Sequence, residues 1–120
     1  MAHEGRQDLL SFTAGADLSA HQYHIVKFSS GTIVAGTAGV GFGVLVDAPE
    51  SGDYGSVAVA GITKVVVGTG GVTEGDLVTS DANGEAVPAT AGDEVIGRVM
   101  YTTAAAALAT VVLSHASVDA

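Results

Sequence analysis

The chain has 120 residues, enough for one domain with one real core, and carries four Lys+Arg against thirteen Asp+Glu for a formal net charge of −9. Phosphate contact needs clustered cations, so this balance argues against nucleic acid as a partner and against an anionic membrane surface. There is no cysteine, which excludes a disulfide framework, a thiolate nucleophile and a Cys-type zinc site, and fits intracellular synthesis.

Hydrophobic residues make up 48% of the chain, mostly Ala and Val, with 17 Gly, 2 Pro, 5% aromatics and no Trp. That composition predicts many turns, few helices and a thin core of small branched side chains, as in a narrow barrel or sandwich. The mean hydropathy of +0.45 is high for a small acidic domain. No apolar run approaches the ~20 residues of a membrane helix, and the opening Met-Ala-His-Glu-Gly-Arg-Gln-Asp does not read as a secretory signal. High hydropathy without a span suggests either apolar surface covered by other chains or an index raised by the many alanines.

In chain order, residues 1–13 read as a flexible N-terminal arm: a polar, aperiodic head, Met1 to Asp8, followed by Leu9-Leu10-Ser11-Phe12-Thr13 as a strand or an arm that orders on a partner. Residues 14–114 read as the β domain. Tyr23 to Phe28 is an alternating strand that turns at Ser29-Ser30-Gly31 and returns over Thr32 to Ala35. Phe42 to Asp47 is a strand, Ala48 to Gly55 a Pro/Gly loop, Ser56 to Ala60 a strand, and Ile62 to Val67 a separate apolar strand. Leu77 to Ser80 is a strand closed by the Asp81-Ala82-Asn83-Gly84 turn. Val95 to Val99 follows. Tyr101 to Ala107 fits either a helical turn or a loop. Leu108 to Ser114 is the last strand, and 115–120 is a tail. About nine or ten short strands and no amphipathic helix make the class all-β.

Turns and apolar positions recur at an offset of 54 (97 − 43): Gly97 falls on Gly43, Val99 on Leu45, Val111 on Val57 and Leu113 on Val59. This points to an internal duplication of 18–59 and 72–113, ungapped, with a pseudo-twofold relation between the copies. The alternative is a β-protein whose strands recur at common spacings.

No constellation argues for catalysis. Gly39-Val40-Gly41-Phe42-Gly43 precedes no helix and contains no Gly-Lys-Ser/Thr. Asp81-Ala82-Asn83-Gly84-Glu85 lacks the spacing of a calcium loop and is explained by turn chemistry. His21 and His24 stand three apart, a zinc-ligand spacing on a helix, but a strand or turn would splay them. Ser, His and Asp occur without a Gly-x-Ser-x-Gly elbow. Neither a cofactor nor a metal is expected.

Gly71 to Asp81, the Asn83-Gly84 turn and Ile96-Gly97-Arg98-Val99, together with Gly43-Val44-Leu45 and Val57-Ala58-Val59-Ala60-Gly61, resemble the pattern of the capsid cement family of tailed bacteriophages. The resemblance covers roughly 17–113. That family has sometimes been mislabelled a recombinase, which the absence of a Walker-type loop or basic groove does not support. The resemblance implies a non-enzymatic capsid decoration protein, synthesised in the host cytoplasm. It would sit on the outer surface of the head, bind the major capsid protein and itself as a homotrimer, and brace the shell. Leu9, Leu10 and Phe12 in the arm and Ile62, Val65, Val66 and Val67 in the apolar strand are the candidate capsid or oligomer contacts. The alternatives are a small-ligand or carbohydrate-binding β module and a minor tail or adhesion protein.

Overall fold

The computed structural model describes residues 7–117; the head Met1 to Arg6 and the last three residues of the tail lie outside them. Nine strands and no helix are found among the described residues: β1 (Gln7–Thr13), β2 (Ile25–Ser29), β3 (Thr32–Ala35), β4 (Gly43–Leu45), β5 (Tyr54–Val66), β6 (Leu77–Ser80), β7 (Ala86–Pro88), β8 (Glu94–Val99) and β9 (Leu108–Ser117). They form one curled antiparallel sheet in the order β3-β2-β4-β5-β9-β8-β6-β7, with β1 added on β5. The all-β class is as expected from the Gly-rich, helix-poor composition.

Three boundaries differ from the sequence expectation. Gln7–Thr13, read as part of an arm, is placed in the chain's own sheet, paired with β5 from Gln7↔Gly61 to Thr13↔Tyr54. The two strands expected over 56–67 are one 13-residue strand, β5. Gly61 looked like a break, but it adopts φ +95° inside the strand, a conformation that glycine takes without a Cβ clash. The last strand, expected to end at Ser114, runs on to Ser117, into the stretch read as tail; of the two readings of 101–107 the loop is found, tied by the Val72↔Thr103 bridge.

The pairings run in two circuits that share β5. The first goes from β5 to β1, across the Ala14↔Ile33 bridge to β3, then through β2 and β4 back to β5. The second leaves the far end of β5, crosses the Val67↔Ala86 bridge to β7, and returns through β6, β8 and β9. The circuits have the same register. Thr13↔Tyr54 and Phe12↔Gly55 correspond to Val66↔Leu108 and Val65↔Ala109. Val44↔Ala58 corresponds to Arg98↔Val112. Ile25↔Val44 corresponds to Leu77↔Arg98. The offset is 52 for β2 and β6 (77 − 25), 53 for β1 and the end of β5 (66 − 13), and 54 for β4 and β8 (98 − 44), so the correspondence is gapped.

The cores correspond as well. Ala14, Leu18, Val26, Ile33, Leu45 and Val57 fill the first circuit. Their equivalents Val67, Val72, Val78, Ala86, Val99 and Val111 all lie in the larger second cluster. Each fully buried Val, Leu or Ile contributes roughly 1.5–3 kcal/mol relative to exposure, so side chains on alternate positions of short strands supply most of the driving force. The second cluster also takes in Ile25, Val44 and Ala58 from the first half, all 0% exposed. They point away from their own core, because strand neighbours alternate faces. A twofold arrangement would bury the equivalent faces alike; among the described residues the first face is fully buried, whereas on the second Leu77 is half-buried and Arg98 and Val112 are exposed.

Candidate functional site

Most large apolar side chains that remain exposed fall on three surfaces. The first is β1, where Leu9 and Leu10 are 49% and 52% exposed opposite Ala58 and Val57. Besides β5, β1 meets β3 at its end, where Ala14 bridges Ile33; among the described residues no strand lies against the edge beside Leu9 and Leu10, which leaves that stretch open to an incoming strand. Beside it Gln7 Nε2 donates to the Ile62 carbonyl at 3.0 Å.

The second surface is aromatic. All three phenylalanines of the chain meet at one end of the first circuit. Phe28 and Phe42 stack with centroids 4.0 Å apart and planes 4° from parallel. Phe12 stands edge-on to both, at 5.2 and 5.5 Å. Phe28 is 54% exposed, and Val40 lies beside it with Lys27 and Glu94 at the rim. Stacked and edge-on rings each contribute about 0.5–1.5 kcal/mol beyond area burial.

The third surface is an open groove of ≈ 470 Å³ on β8 and β9, floored by Val99 and Met100 and walled by Arg98 and Val112. Arg98 Nη1 donates to the Gly75 carbonyl at 2.6 Å, which fixes the guanidinium at its rim.

Of the residues singled out from the sequence, Leu9 and Leu10 are exposed as required of a contact. Phe12 is half-buried beneath the aromatic end, away from them. Ile62 and Val66 are half-buried, and Val65 and Val67 are fully buried core residues that no partner can reach. The apolar run 62–67 contains both faces of one strand, and alternation sends Val65 and Val67 inward. Sequence reading missed Phe28, Phe42, Arg98 and Val112. A signal was present: all three Phe lie in the first half, at positions whose equivalents are Val65, Ser80 and Ile96.

His21 and His24 are not splayed. The turn at Gln22–Tyr23, with Tyr23 at φ 64°, brings their rings to 4.9 Å, edge to face. His24 Nδ1 donates to the Asn83 carbonyl at 3.0 Å, whereas His21 Nδ1 is buried and has no hydrogen-bond partner among the described residues. Burial, and then the neighbouring His24, hold the His21 pKa below its ordinary value, against the opposing pull of Asp17. Asp17 is itself lowered by hydrogen bonds from Ser19, side chain and then backbone. No group of three or more His, Cys, Asp or Glu that could hold a metal ion occurs among the described residues, and no helix there is long and apolar enough to cross a membrane.

The molecule is an all-β protein, a curled sheet of small residues whose marked surface features are apolar faces. The family model for phage cement proteins matches residues 4–115, and the chain belongs to that family. It is a family of structural proteins associated with the phage capsid, not of enzymes. No curated protein sequence matches the chain. Among solved structures, the head fiber gp8.5 N base of bacteriophage phi29 has a similar fold, with a TM-score of 0.71 and 22% identity over 96% of this chain and 100% of that one.

Proposed function

We propose that the chain decorates the outer surface of a tailed-phage head, where it binds the major capsid protein and a second and third copy of itself and braces the shell. Family membership supports the setting. The observation that carries the contact is β1: two half-exposed leucines stand on a strand with an open edge, in a chain of net charge −9. A capsid segment adding to that edge would satisfy backbone groups and cover Leu9 and Leu10 together. Many copies per particle multiply a small contact by avidity. The matching registers and cores of the two circuits support a tandem duplication as the origin of the fold.

The test is co-sedimentation with heads that lack decoration. Wild type should pellet with them, and the Leu9→Ser, Leu10→Ser double variant should stay in the supernatant while keeping its melting temperature. Equal binding of the two proteins would remove β1 from the contact.

A further inference from the structure

The two halves meet head to tail, and that contact leaves one unused surface of each kind. In the first half, Ile25, Val44 and Ala58 on the outer face are fully buried in the second cluster. Their equivalents in the second half are Leu77, Arg98 and Val112; Leu77 is half-buried, Arg98 is exposed and Val112 is 41% exposed, the last two on the groove. At the receiving end the asymmetry is reversed. Val65, Ser80 and Ile96 of the second half are buried, whereas of their equivalents Phe28 is exposed and Phe12 and Phe42 are half-buried, the three rings together forming the aromatic end. Among the described residues, the donor face of the second half and the receiving end of the first are therefore both less covered than their counterparts.

We propose that a second copy of the chain covers them: the Arg98–Val112 face of one molecule docks on the Phe28–Phe42 end of the next, continuing between molecules the contact made between halves. The chemistry is complementary. Arg98 brings a guanidinium to a stacked pair of rings, whose faces attract a cation, and Val112 brings apolar surface to the same end. The two surfaces differ, so the association is heterologous and closes into a ring when the rotation per subunit allows. This rests on the self-association in the reading above and identifies the faces that make a three-membered ring.

Because each molecule needs both surfaces, complementation tests the arrangement. Phe28→Lys spoils only the receiving end and Val112→Lys only the donor face. Both positions are solvent-exposed, and the variants are first checked by melting temperature. If Phe28→Lys does not fold, Phe28→Ser, which installs the residue found at the equivalent position 80, replaces it. Oligomeric state is read by sedimentation in solution and by chemical cross-linking on decorated heads. The expected result is a trimer for wild type, a monomer for each variant, and a 1:1 dimer for the equimolar mixture, held by its one intact pair of surfaces. Wild type that is monomeric in both settings, variants that remain trimeric, or a mixture that stays monomeric would overturn the proposal. A mixture that fails to dimerise while wild type still coats heads removes this inference alone. Dimers in the mixture with bare heads would leave it standing and remove the capsid reading.

Discussion

Gly43 and Gly97 occupy the same place in the two halves, each where a three-to-six-residue strand crosses close to the last strand of its half. A Cβ on Gly97 would meet the Val112 carbonyl oxygen at 2.2 Å, and one on Gly43 would meet the Ala58 carbonyl oxygen at 2.8 Å. Ala58 and Val112 are themselves equivalent. Both contacts are with backbone, which cannot yield as a flexible side chain does. Gly43→Ala and Gly97→Ala should each destabilise by about 1–3 kcal/mol, Gly97→Ala by more, measured by urea denaturation. Unchanged midpoints would show that β4 and β8 can move outward freely.

The shared strand β5 should make the two cores unfold together. Leu45 belongs to the first and Ile96 to the second, and both are fully buried. Truncating either to alanine removes transfer free energy and leaves a cavity, at a cost of about 2–5 kcal/mol. Calorimetry should show one transition lowered by either substitution. Two transitions, each sensitive to one substitution only, would contradict cooperative coupling through β5.

Stability should fall on mild acidification. The folded His21 binds a proton less readily than the unfolded chain does, because burial and His24 lower its pKa. Protonation therefore favours unfolding. Its stabilising contribution is present above the ordinary histidine value of about 6.5 and is lost as pH falls through that value toward the lower folded pKa. Asp17, lowered from its ordinary carboxylate value, acts only at more acidic pH. His21→Gln should flatten the decline in melting temperature between about pH 7 and 5. A wild-type profile that is flat there, or a variant with the same slope, would contradict the burial of that ring.

Much of the fold was legible because hairpins leave local marks. The Ser29-Ser30-Gly31 turn, the Asn83-Gly84 turn and the β-forming residues of 77–80 and 95–99 gave β2, β3, β6 and β8 nearly to their ends. The correspondence of Gly43 with Gly97 was visible for the same reason. The correspondence of 7–13 with 60–66 was not, since Leu9-Leu10-Ser11-Phe12-Thr13 and Ile62-Thr63-Lys64-Val65-Val66 share a register but no identity. Exposed surfaces were the least legible. Phe12, Phe28 and Phe42 are far apart in sequence, and only the closing of the first circuit brings their rings together. Val65 and Val67 looked available because an apolar run by itself does not show which face is covered.

Placing β1 in the chain's own sheet changes what a truncation would report. Removing Met1 to Phe12 would take out most of a strand and the Phe12 ring that packs on the first core. Such a protein should unfold at lower temperature rather than remain a folded domain with weak binding, and point substitutions at Leu9 and Leu10 are the cleaner probe. A truncated protein with an unchanged melting temperature, measured by circular dichroism, would show that β1 contributes nothing to the fold.

The most direct measurement is electron microscopy of undecorated heads mixed with the protein. Ordered density of the size of this chain, repeated over the outer face of the shell, is the expected result. Shells that stay bare at saturating protein, or density found only on the inner face, would contradict it.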